Sequence, residues 1–153
     1  MTDEELFWAV IEPIWPDETI VDELKHISKG TPGQKAIFAT TLFMREVDNG
    51  GIEQFLFNSS GIYSKEVLKG FELLEMKDHY EITKKAFGFF LFGKVPKDWG
   101  KRQRYLAKRE KKQVSFFEPL NDQIYGEERL YPYFKKYIHS HQNEFFVGIN
   151  EKS

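Results

Sequence analysis

The sequence predicts an all-α protein, a single compact domain of about seven or eight helices with a helix–Gly-Gly–helix corner at its centre. Three observations carry this expectation. Helix start signals recur along the chain, apolar residues return at i, i+3, i+4 spacing, and glycine and proline fall where helices of ordinary length would stop. A chain of 153 residues suits one domain. At that size a fold buries roughly 68–70% of its unfolded surface and needs neither a disulfide nor a metal to hold a core.

Taken in order, Thr2-Asp3-Glu4-Glu5 fits a capping box, with acidic residues suited to the positive end of the helix dipole. A first helix should therefore run to Ile11, before Pro13 and Pro16. A second is expected over residues 17–28, with Ile20, Val21, Leu24 and Ile27 on one stripe and Gly30 as its stop. Thr31-Pro32-Gly33-Gln34 is the clearest start signal: a capping hydroxyl, a proline where no amide is needed, and a glutamine to close the box. The aromatic and β-branched stretch 36–47 before Asn49-Gly50 also fits a hairpin. The cap, the length and the Gly50-Gly51 stop favour a helix.

Ile52, Phe55 and Leu56 predict a short helix closed by Ser59-Ser60-Gly61, and Ser64 is placed to cap the next, striped by Val67, Leu68, Phe71 and Leu74. Residues 78–92 carry Ile82, Ala86, Phe89 and Phe90, and Phe87 and Leu91 widen the apolar face until this helix should be central. Asp98 caps an expected basic helix over 99–113. A last helix follows from Leu130, Tyr133, Phe134, Tyr137, Ile138 and His141, with Pro132 tolerated in its first turn.

Composition narrows the function classes. The chain has no cysteine, which excludes thiolate catalysis and cysteine-bound zinc or iron–sulfur sites and fits a reducing compartment. An acidic start without an apolar run and the lack of a spanning segment point to a cytoplasmic protein with no membrane partner. With 15 Phe, 7 Tyr and 3 Trp, aromatic rings should dominate the core. The net charge of −2 hides an asymmetry: residues 1–60 carry 11 acidic and 4 basic side chains, residues 101–153 carry 7 and 11. Each half reads first as a solvated face, but opposed charge can also steer a partner or a second copy.

No constellation demands catalysis, a metal or a cofactor. Residues 88–94 match a phosphate loop's glycine and lysine spacing, but four apolar residues fill the loop and Val95 follows the lysine. His26, His79, His139 and His141 form no ligand pair at helical spacing and are expected at the surface or at helix ends. Glu46, Asp48 and Glu53 would need to converge on one pocket to act as acid and base, and terminal placement explains Glu53. Lys101, Arg102, Arg104, Lys108, Arg109, Lys111 and Lys112 form a basic patch near Trp99 and Tyr105. Nucleic-acid domains are usually basic overall, so a solvated or internally paired helix is the plainer reading.

Asp48-Asn49-Gly50-Gly51, Gln54-Phe55, Asn58 and Gly61 have a further reading. With Thr31-Pro32-Gly33-Gln34 upstream and, more weakly, Leu120-Asn121-Asp122-Gln123-Ile124-Tyr125 downstream, the segment resembles the central motif of a family of small bacterial helical proteins, mostly uncharacterised, that includes a DNA-mimic protein. The resemblance spans about residues 17–140. It implies a helical fold and a protein partner that binds DNA, met by carboxylates in place of phosphates. The acidic surface suited to that role comprises Asp3, Glu4, Glu5, Glu12, Asp17, Glu18, Asp22 and Glu23. The motif itself reads as a packing and capping device.

The expected function is therefore a non-enzymatic protein-interaction module, acting alone or as a homodimer. One rival is a small-ligand binder or hydrolase-like enzyme using Asp48, Asn49, Gln54 and Asn58. The other is nucleic-acid binding through 99–113.

Overall fold

The local signals become helices wherever a side chain satisfies the first free amides. In the computed structural model, which describes residues 1–145, Thr2 and Thr31 each close a full capping box and begin α1 (Asp3–Ile11) and α3 (Pro32–Gly50). Between them lies the short α2 (Glu23–Ser28), capped by Asp22. The corner follows as α4 (Ile52–Phe57), then α5 (Ser64–Leu73), α6 (Lys77–Phe87), α7 (Trp99–Ala107), α8 (Glu110–Ile124) and α9 (Tyr131–Ser140). The described residues contain no strand, so 36–47 is helix and not hairpin.

α3 is the central element. Ala36, Ile37, Phe38, Ala39, Thr40, Thr41, Phe43, Met44 and Val47 are all buried, which leaves it little exposed face before its last turn. Phe43 is the aromatic hub of one half of the core. Its ring meets Phe55 of α4 at 4.9 Å, Phe71 of α5 at 5.8 Å and Phe87 of α6 at 6.2 Å, edge to face in each case. The other half forms where Trp15 bears on Phe38 and Phe7 stacks on Phe134 of α9. Arg45 lies over the Phe7 and Trp15 rings and pairs with Glu127 at 3.0 Å.

Several expectations need correction. The helix expected over 17–28 begins only at Glu23, because Asp17 turns the chain onto Thr19 and Asp22 caps afresh; Val21 stands in solvent, 101% exposed. Ser64 does not cap α5. The segment Ser59–Tyr63 is itself a 3₁₀ turn running into the helix, and the Ser64 hydroxyl donates to the Gly61 carbonyl at 2.7 Å. α6 stops at Phe87, so Leu91 and Phe92 are exposed and α3, not this helix, is central.

The basic helix expected over 99–113 breaks after Ala107. Its second part continues through an exposed Pro119 to Ile124, which raises the count to nine α-helices among the described residues. His79 lies at a helix end, in the first turn of α6, but not at the surface: it is buried, 5% exposed, with its ring 5.4 Å from that of Phe71. The last eight residues of the expected domain lie outside those described.

His79 makes stability depend on pH. Its Nε2 is buried with no hydrogen-bond partner among the described residues, and burial, helped by the Arg129 charge, pushes its pKa down to about 4. An unfolded histidine titrates near 6.5. Above that pH both states are neutral and His79 contributes no slope. Below it the unfolded chain takes up the proton first, so stability falls as pH drops from about 6.5 to about 4, by on the order of 3 kcal/mol. Urea unfolding of His79→Leu should show a loss of stability across that range smaller by this amount. Equal slopes for the two proteins would contradict a buried neutral His79.

Candidate functional site

The corner at residues 46–61 is built from backbone requirements. Gly51 ends α3 and begins α4 with φ of 86°, a left-handed conformation that favours glycine. Its N–H donates to the Val47 carbonyl at 2.8 Å. The next amide, Ile52 N–H, is capped from another helix: buried Asn121 of α8 accepts it through Oδ1 at 2.8 Å and donates through Nδ2 to Glu53 at 2.9 Å. This contact accounts for the downstream segment at Leu120-Asn121.

The polar motif residues do not converge on one point. Asp48 accepts the N–H groups of Gly126 at 2.8 Å and Glu127 at 2.9 Å, and so caps the turn Glu127–Leu130. Asn49 is exposed. Phe55 is core. Only Gln54 and Asn58 meet, both donating to one oxygen of Glu46, at 3.2 and 2.8 Å.

The carboxyl end of α4 explains Gly61 and removes Arg102 from the basic surface. One face of α7 presents Trp99, Arg102 and Gln103 to that end. Arg102 is fully buried. Its Nε donates to the Leu56 carbonyl at 2.9 Å and Nη2 to that of Asn58 at 3.0 Å, while Nη1 reaches the carbonyls of Pro96 and Lys97, each at 2.8 Å. Trp99 Nε1 donates to the intervening Phe57 carbonyl at 2.7 Å. The helix dipole thus meets a cation where its carbonyls would otherwise lack donors. Burial lowers the Arg102 pKa from its ordinary value, though a guanidinium remains charged. A Cβ on residue 61 would lie 2.5 Å from Arg102 Nε, so glycine leaves the room that the guanidinium occupies.

The rest of the expected basic patch is divided between two helices. Lys101, Arg104, Lys108, Lys111 and Lys112 are exposed, whereas Arg109 folds back over the Tyr105 ring, 3.4 Å from its centre. The acidic set is mostly engaged as well. Asp3 pairs with Lys135, Glu5 and Asp22 cap helices, Asp17 holds Thr19, and Glu23 accepts the Tyr63 hydroxyl at 2.5 Å. The carboxylates of Glu4, Glu12 and Glu18 make no hydrogen bond or ion pair among the described residues.

What sequence reasoning missed is a groove of about 850 Å³ beside the corner. Val21, Leu24, Leu42, Ile62 and Trp99 supply its apolar wall, and Asp22, Glu23 and Glu46 its carboxylates. Phe57 stands next to Trp99, and both are about half exposed. Burial, followed by the Glu23 carboxylate, pushes the Tyr63 phenol well above its usual range, which keeps it a donor to Glu23. Two carboxylates are thereby held in place at the groove, Glu23 by Tyr63 and Glu46 by Asn58 and Gln54. Asp98 before Trp99 signals the helix start in sequence; nothing there signals that the indole face stays exposed.

The described residues contain no group of three His, Asp or Glu that would hold a metal, and no helix long and apolar enough to cross a membrane. A family model described as DMP19-like protein matches residues 28–141, most of the chain, and the protein belongs to that family. No curated protein and no solved structure matches the chain.

The Arg102 arrangement predicts a specific pattern of instability. Arg102→Lys keeps the charge but loses the fork, and should cost about 2–3 kcal/mol in urea unfolding through the carbonyls left unmet. Gly61→Ala should cost about 1–3 kcal/mol by crowding the guanidinium. Lys101→Ala, one residue away and exposed, should stay within about 0.5 kcal/mol of the parent. Equal effects at positions 101 and 102 would contradict the assignment.

Proposed function

We propose that this member of the DMP19-like family is a non-enzymatic interaction module that receives a basic, partly apolar segment of a protein partner in the groove beside Trp99. The observation that carries the reading is that exposed Val21 and Trp99 line one groove with Glu23 and Glu46, whose carboxylates are already oriented. Exposed apolar area rimmed by charge is the usual mark of a docking surface, and tryptophan is prominent among residues that dominate binding energy. Carboxylates fixed before binding lose little entropy when they meet Lys or Arg. The dispersal of Asp48, Asn49, Gln54 and Asn58 over separate contacts weighs against an enzyme built on the motif. The burial of Arg102 and the folding back of Arg109 weigh against nucleic-acid binding through 99–113.

The family resemblance extends the proposal to a DNA-binding partner, whose cationic side chains would meet carboxylates where DNA offers phosphates. The carboxylates of Glu4, Glu12 and Glu18, without a hydrogen bond or ion pair among the described residues, would add to that acidic field. The absence of cysteine supports a cytoplasmic setting for the complex.

A photo-crosslinking residue placed at Val21 should capture one protein in cells of the source organism, whereas the same residue at Val114, exposed but outside the groove, should not. Val21→Arg should weaken the purified complex by about tenfold or more without lowering the melting temperature. Duplex DNA should compete with the module for the captured protein. Capture that is as strong from Val114 would overturn the groove; capture from Val21 that DNA does not oppose would overturn the DNA-binding partner.

A further inference from the structure

A second concavity, of about 480 Å³, opens between α2, α3 and α5. Its apolar lining is aliphatic: Leu24, Ile27, Ala36 and Leu73 take part, and no aromatic ring does. Three lysines, Lys35, Lys69 and Lys97, come to it from separate parts of the chain. Their ammonium groups make no hydrogen bond or ion pair among the described residues. Glu66 completes the wall, and its Oε2 is buried with no hydrogen-bond partner among those residues.

We propose that this cavity binds a small aliphatic anion: a hydrocarbon body with a carboxylate or phosphate head, and a hydroxyl or amino donor beside that head. The volume is that of a small-molecule site. The aliphatic lining takes the body by burial of apolar surface, and the lysine stems extend that surface while their ends stay at the mouth. Three cations against one carboxylate select a negative head and reject a positive one. The lack of an aromatic ring removes the stacking that nucleobases use, so nucleotides fit poorly. Glu66 Oε2 is costly while unmet, and a ligand donor reaching it would recover that cost. Lys69 and Leu73 lie one helical turn apart on α5, so a single helix offers both a head contact and a body contact.

The test uses the full chain and five eight-carbon probes in calorimetric and NMR titrations: octanoate, octyl phosphate, 3-hydroxyoctanoate, octanol and octylamine. At least one of the two simple anions should bind, shifting amide signals of Lys35, Lys69 and Leu73, and the tighter of the two identifies the head. Octanol and octylamine should bind about tenfold more weakly or worse. Lys69→Glu and Lys97→Glu, both at exposed positions, should each reduce anion affinity by about tenfold with the melting temperature unchanged. The hydroxylated acid should exceed octanoate severalfold, and Glu66→Leu should abolish that preference. The proposal is overturned if octanol matches the anions, if charge reversal leaves affinity unchanged, or if no probe binds at millimolar concentration. Equal affinity for octanoate and its hydroxylated form would overturn the role of Glu66.

Discussion

Arg102 is a buried cation whose hydrogen bonds all go to backbone carbonyls, and it holds three segments at once: the carboxyl end of α4, the loop at Pro96 and Lys97, and the helix α7 that carries it. A helix of six residues is too short to persist on its own strength. α4 persists because both ends are finished from elsewhere in the fold, by Asn121 at its start and by Trp99, Arg102 and Gln103 at its close. The Gly-Gly corner, the place of Phe55 beneath Phe43, and the entry into α5 all follow from where α4 is pinned. Leu56, Asn58 and Gly61 therefore belong to one constraint: carbonyls aimed at a guanidinium, and a missing Cβ that lets it in.

The same constraint shapes the surface. Trp99 satisfies Phe57 through its ring nitrogen while the indole face stays open, so the residue that closes α4 also exposes the largest apolar group at the groove. Asn58 gives its carbonyl to Arg102 and its side-chain amide to Glu46. A corner that is structural in its interior thus presents oriented carboxylates and an exposed ring on its outer side. Asn58, Glu46 and Trp99, which fasten the corner, therefore also line the groove.

The parts of this fold that were legible in the sequence are those decided within one turn of the chain. Thr2, Thr31 and Asp98 cap helices as their neighbours predict, and Gly51 turns because its φ is positive. The misreadings arise where distant contacts or competing local ones decide. Asp17 and Asp22 are both capping residues five positions apart, and the first makes a turn that displaces the start of α2. Leu91 and Phe92 continue an apolar rhythm that the chain has already left at Gly88. Arg102 sits in a run of basic residues and looks solvated, because the sequence around it says nothing of the carbonyls that α4 aims at it. The groove was hidden for a related reason: exposure of Val21 and Trp99 is a property of the packed molecule, and periodicity assigns apolar residues to a core by default.

NMR of the arginine side chains in the folded protein tests the hold of Arg102 on α4 directly. Arg102 Nε–H should exchange slowly with solvent and its guanidinium rotation should be slowed, set apart from exposed Arg104 by the four carbonyls that hold it. Arg102 signals that exchange and rotate as fast as those of Arg104 would contradict it.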